Sequence, residues 1–148
     1  PGHASNHLCY LLEEEKTLFT GDHVMQGSTV VINPPDGDMR AYLGSLRALL
    51  DEDIEWIAPG HGFLMGRPHD AIRLLIRHRQ QREAKVMNAL RALAPTDLAT
   101  LLASVYDDVP PGKHPIAQRS LLAHLRKLEA DGLAREVEGI WHLLPGGL

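Results

Sequence analysis

From Pro68 to about Ala94 the sequence reads as one long helix that is apolar at its ends and polar in its middle. Ile72, Leu75 and Ile76 recur at helical spacing near the start, and Val86, Leu90 and Leu93 do so near the end. Pro68 suits the first turn, where a missing N–H costs nothing. The stretch from Arg77 to Arg82 is almost wholly polar. A helix that packs at both ends and is bare in the centre suits a connector. It divides the chain into residues 1–66, a connecting helix at 67–94, and a second module at 95–148.

The charge distribution agrees with that division. The 148 residues carry a net charge of −4. Residues 1–66 hold three Lys/Arg and ten Asp/Glu, a net −7, and residues 67–148 hold twelve and nine, a net +3. The acidic part suits cation binding, while the basic part is too weakly charged to indicate a nucleic-acid partner by itself. No apolar run reaches the roughly 18 residues that span a bilayer, so no membrane partner is expected. Cys9 is the only cysteine. It permits no internal disulfide and no thiolate-built zinc site, and a reducing cytoplasm is the expected location. Cys9 itself reads as a small buried apolar residue. The nine histidines are the more informative metal-binding residues.

Before the helix, Leu8–Leu12 and Thr17–Thr20 read as paired strands, joined by a solvated Glu13-Glu14-Glu15-Lys16 turn. Asp38 is a good N-cap for a helix through Leu50 with Leu43, Leu46 and Leu50 on one face. Ile54–Ala58 reads as a short buried strand. After the connector, Leu98–Tyr106 and Ile116–Ala130 read as helices, Asp131-Gly132 as a stop, and Leu133–Val137 with Ile140–Leu143 as a hairpin. Helix, helix, helix, hairpin is the winged-helix order, with Leu121, Leu122, Leu125 and Leu128 inward and Arg119, Arg126 and Lys127 outward. Glu129, Asp131, Glu136 and Glu138 lie beside those cations and would repel duplex DNA. The winged helix is expected instead to pack over the first module and shape its cleft.

Three loop motifs carry chemistry: Pro1-Gly2-His3-Ala4-Ser5-Asn6-His7, Phe19-Thr20-Gly21-Asp22-His23 and Ala58-Pro59-Gly60-His61-Gly62. A catalytic zinc takes neutral imidazoles and carboxylates on rigid backbone, with one position open to water. Loops directly after strands provide that backbone, and glycine permits close approach. One Asp can bridge two metals, an oxygen to each. Each motif alone is weak; their order is what constrains the reading. His69, His78, His114, His124 and His142 share no spacing with a carboxylate that suggests a ligand set. Ser28 and Thr29 lie in a loop that could face substrate, with strand-end residues without function as the favoured reading.

At these motifs the sequence resembles the metallo-β-lactamase superfamily. It resembles most the beta-lactamase-like protein 2 group, in which a winged helix follows the hydrolase fold. The stretches His3-Ala4-Ser5-Asn6-His7-Leu8-Cys9-Tyr10 and Phe19–Gly27 carry most of the likeness. The resemblance implies an α/β fold, the C-terminal half of an αββα metallo-β-lactamase sandwich, followed by a winged-helix domain. It implies that His3 binds a first zinc, Asp22 bridges, and His61 binds a second. His7 takes a substrate-contacting or supporting role, with a structural hydrogen bond equally open. His23 takes a supporting role or a packing one. The family's remaining ligands lie in a His-x-His-x-Asp-His motif absent from this sequence, and the opening Pro1-Gly2-His3 reads as the interior of a motif. The expectation is therefore a C-terminal fragment, itself inactive, of a two-zinc hydrolase. Its metal-activated hydroxide would attack a carbonyl or a phosphodiester, on an ester, thioester or single-stranded RNA substrate. A winged-helix nucleic-acid- or protein-binding module with a vestigial metal site is the alternative. The apolar face left by a missing half-sandwich points to a homodimer.

Overall fold

The computed structural model describes residues 1–147, which divide between Arg79 and Gln80 into two units. The first unit is built on a four-stranded sheet of order β1-β2-β3-β4: β1 (Tyr10–Leu12), β2 (Thr17–Gly21), β3 (Trp56–Pro59) and β4 (Met65–Gly66). β1 and β2 form the expected antiparallel hairpin across a single 3-10 turn at Glu13–Glu15. β2 and β3 run parallel, so a crossover must join them. Helix α1 (Met39–Leu49) supplies it. Its N-cap is Asp38, whose carboxylate accepts from the Ala41 amide at 2.7 Å. Met39, Tyr42, Leu43 and Leu46 are buried, whereas Leu50 is only half-buried.

The sheet obeys the two-residue period of strands. Leu18 and Ile57, partners across β2 and β3, are both buried. On the opposite face Tyr10, Leu12, Phe19 and Trp56 are exposed, with Tyr10 at 67%. Cys9 is half-buried, not enclosed as its composition class suggested. Its sulfur sits 3.9 Å from the Thr20 carbonyl, and burial raises the thiol pKa.

Helix α2 (Pro68–Leu93) has the length read from sequence, and the boundary between the units falls inside it, at Arg79. Its polar middle is not bare, which corrects the sequence reading. Arg79 is 3% exposed; its guanidinium donates to the Val30 carbonyl and lies 5.4 Å from the centre of the Tyr42 ring. Arg82 donates to the Val105 carbonyl at 2.7 Å, grips both oxygens of Asp108 at 2.8 and 3.0 Å, and stacks on Tyr106. These guanidinium groups serve packing as well as charge.

The second unit contains α3 (Leu98–Val105), α4 (His114–Ala130) and a three-stranded sheet of order β5-β7-β6, from β5 (Thr96–Asp97), β6 (Ala134–Val137) and β7 (Ile140–Leu143). With the end of α2 these elements make the winged helix. β5, too short to register in a sequence period, pairs with β7. Val86, Leu90, Leu101, Val105, Leu121, Leu125, Leu128 and Trp141 form its core. Lys127 departs from the outward position expected of it. It is half-buried, 2.7 Å from Glu83 and 2.8 Å from Asp131. Among the described residues no helix is long and apolar enough to cross a membrane.

Leu121→Ala, at a fully buried position, is expected to cost about 2–5 kcal/mol in chemical denaturation. The Arg82 guanidinium holds the Asp108 carboxyl down at about 2. That contribution is complete above the ordinary carboxylate pKa and is lost as pH falls toward 2. Asp108→Asn should therefore flatten the fall in melting temperature between pH 4 and pH 2.

Candidate metal centre

Parallel pairing brings the ends of β2 and β3 together, with Gly21 opposite Pro59. Asp22 and His61 leave from those two carboxyl ends, where open α/β sheets place their ligand sites. Gly60 lies directly on Gly21. Its amide donates to the Gly21 carbonyl at 2.8 Å, and a Cβ at Gly60 would fall 3.0 Å from that same backbone. Gln26, unnoticed in the sequence, clamps the loop from its other side. Its amide donates to the His61 carbonyl at 3.3 Å, and its side-chain oxygen accepts from the Phe63 amide at 2.7 Å. Gly62 sits at φ +102°, with the position of a Cβ only 2.5 Å from the Gln26 Cβ.

His3, Asp22 and His61 meet. Asp22 Oδ2 is 3.7 Å from His3 Nε2, and Asp22 Oδ1 is 3.1 Å from His61 Nε2. Each carboxylate oxygen faces a different imidazole. His3 Nδ1 lies 2.8 Å from the Val31 carbonyl, and a carbonyl can only accept, so Nδ1 is the protonated nitrogen. In the neutral ring this leaves the Nε2 lone pair directed at a carboxylate oxygen. Two lone pairs facing each other repel unless a proton or cation lies between them. Ligands bound at 2.0–2.2 Å on a tetrahedral ion are separated by about 3.4 Å, and the two observed distances bracket that value. The hydrogen bond from Nδ1 to a carbonyl is also the usual support of a metal-binding histidine.

Among the described residues no group of three or more His, Cys, Asp or Glu side chains is arranged to hold a metal ion. The geometry explains this. The three side chains do not converge on one point; they form two pairs that share Asp22. By donor chemistry, an imidazole and a carboxylate oxygen in each pair are groups that can contribute to holding a cation.

His7 and His23 extend the cluster inward. The His7 ring lies 6.4 Å from His3 and 5.7 Å from His23, centre to centre. His7 Nδ1 is buried without a hydrogen-bond partner. Burial, aided by the charge of His3, lowers its pKa. His23 is 2% exposed, and burial pushes its pKa down to about 4. Neither of its ring nitrogens has a hydrogen-bond partner among the described residues. Its backbone supplies the structural contacts: the amide donates to Thr20 at 2.9 Å, and the carbonyl accepts from the Tyr42 hydroxyl at 2.9 Å. Ser28 is exposed, and Thr29 is half-buried.

Gly62→Ala is expected to cost about 1–3 kcal/mol, because an alanine there is strained in its backbone and clashes with Gln26. The Phe63 amide should then exchange with solvent at least about tenfold faster, as measured by hydrogen exchange.

Residues 1–61 match the metallo-beta-lactamase superfamily, and residues 98–141 match the beta-lactamase associated winged helix domain. A Drosophila melanogaster protein called beta-lactamase-like protein 2 homolog is 33% identical over 91% of this chain and 45% of its own length. An Aspergillus fumigatus protein called atrochrysone carboxyl ACP thioesterase is 34% identical over 62% of this chain and 28% of its own. The chain thus spans less than half the length of these relatives. A metallo-beta-lactamase family protein of known structure from Thermus thermophilus shares the fold, with a TM-score of 0.83 at 22% identity, over 97% of this chain and 47% of its own. Through residues 1–61 the chain belongs to the metallo-beta-lactamase superfamily, and it carries the associated winged helix over residues 98–141.

Proposed function

We propose that the complete protein is a two-zinc hydrolase, with His3 and Asp22 contributing to one ion and Asp22 and His61 to the other. The observation that carries this reading is the Asp22 carboxylate, which turns one oxygen toward each imidazole while Val31 holds His3 in the tautomer that keeps its Nε2 lone pair free. A four-coordinate zinc needs donors beyond these, and we assign them to the part of the relatives' length that this chain does not span. When bound, such ions supply Lewis acidity and a nucleophilic water near neutral pH.

The chain's own residues prepare that chemistry. Asp22 offsets positive charge at both positions. Gly60 and Gln26 fix the His61 loop, and Val31 fixes the His3 ring. His7 flanks His3, with the ring centres 6.4 Å apart, in a supporting or substrate-contacting role. Asp22 and His61 remain 41% and 72% exposed, which leaves substrate a path to them.

The thioesterase among the relatives favours an acyl thioester or ester substrate over single-stranded RNA. The binding-module alternative is not favoured. Arg126 is engaged by Glu129 and Glu136, and Lys127 by Glu83 and Asp131, so two of the three helix cations are neutralised within the unit. For the chain taken alone, the exposed Tyr10, Leu12, Phe19 and Trp56 face supports a homodimer.

The test uses the full-length protein. Asp22→Ala should lose most of the bound zinc by elemental analysis and at least about 100-fold in activity, with acyl thioesters and a single-stranded RNA assayed in parallel. Full zinc content and full activity in that variant would sink the proposal.

A further inference from the structure

The start of α2 carries a second feature that the metal centre does not use. Asp70, Arg73, Leu74 and Arg77 are spaced at three and four residues, so they form one stripe on α2, and Arg67 lies just before its first turn. Together with Gly66 they line a groove of about 460 Å³. Asp70 is the one carboxylate in the lining. It pairs with Arg67 at 2.7 Å and approaches Arg73 at 3.6 Å. Arg77 has no ion pair among the described residues, so the groove holds three guanidiniums against one carboxylate. This excess of positive charge adjoins residues 1–66, which carry a net −7.

The groove is shallow and open to solvent, with Arg67 and Arg73 87% and 59% exposed, so its guanidiniums are accessible to a ligand from outside. The feature is not a helix N-terminus acting alone. The Asp70 and Ala71 amides of the first turn are already bonded to the Arg67 carbonyl, at 3.1 and 3.2 Å, so a ligand here would meet side chains. Arg67 itself sits at φ +53°, in the left-handed region that a non-glycine residue seldom adopts. This conformation begins the turn into α2. Leu74, 63% exposed, gives the groove an apolar flank.

We propose that this groove binds phosphate groups, those of a free diphosphate or of a single-stranded nucleic-acid backbone. Guanidinium forks match phosphate oxygens two by two, and three of them share this concavity. Gly66 pairs with Trp56 at the start of β3, and His61 follows the end of β3. The groove and the candidate metal centre therefore lie at opposite ends of that strand, about 10 Å or more apart. The site is separate from the proposed hydrolase chemistry and does not depend on it.

The test is binding to the full-length protein, by calorimetry with pyrophosphate and by anisotropy with a labelled 12-residue oligouridylate. Arg73→Glu with Arg77→Glu should weaken binding at least about tenfold, with the circular dichroism unchanged. Asp70→Asn, which removes the competing carboxylate, should tighten it, an effect that general loss of structure would not give. Asp22→Ala should leave it unchanged, which separates this site from the metal centre. Pyrophosphate binding assigns a free diphosphate as the ligand. Oligouridylate binding alone, with a steep salt dependence, assigns a nucleic-acid backbone. No binding of either probe at millimolar concentration, or equal binding by the double Arg variant, would overturn the proposal.

Discussion

The Gly60 amide donates to the Gly21 carbonyl at 2.8 Å, and the candidate metal centre depends on that contact. It closes the parallel pairing of β2 and β3 at the one end where both strands turn into loops. Asp22 then follows one strand and His61 follows the other, so their side chains can face each other across 3.1 Å. A side chain at position 60 would press against the Gly21 backbone and part the two loops. A metal site tolerates misplacement poorly, since its ligands must be held within about half an ångström.

The first unit surrounds this contact with fixed groups. Thr20 and Tyr42 hold the backbone of His23, the residue after Asp22. Tyr42 is in turn overlaid by Arg79, which reaches the Val30 carbonyl, next to the Val31 carbonyl that orients His3. Burial lowers the pKa of both His7 and His23, which disfavours positive charge on the interior side of the cluster. The second unit solves a different problem. It packs its helices on an aliphatic core with Trp141 and rims that core with guanidinium and ammonium contacts: Arg82 on Tyr106 and Asp108, Arg126 on Trp141, Lys127 between Glu83 and Asp131.

Much of the fold could be read in the sequence, because local rules govern it. The Asp38 cap, the length of α2, the β1–β2 hairpin and the winged-helix order follow from capping chemistry and from periodicity over a few residues. β4 and β5, two residues each, carry too short a pattern to be read. The polar middle of α2 misleads for another reason. Arginine counts as polar in a periodicity argument, yet its long stem and planar head can be buried when a carbonyl or a ring receives them. The same limit applies to Lys127.

The sequence by itself determined which residues can serve as ligands. It set imidazoles at His3 and His61 and a carboxylate at Asp22, each in a loop at the edge of a predicted strand and each with glycine nearby. Only the tertiary structure decided that the carboxylate stands between the imidazoles with an oxygen for each. It alone also brought in the Val31 carbonyl to select the His3 tautomer and Gln26 to clamp the loop. The physical reason is range. Caps and periodicities act within a turn or two of chain, whereas the contacts that build the candidate metal centre join residues 19 to 39 positions apart, and strand register and crossover set their distances.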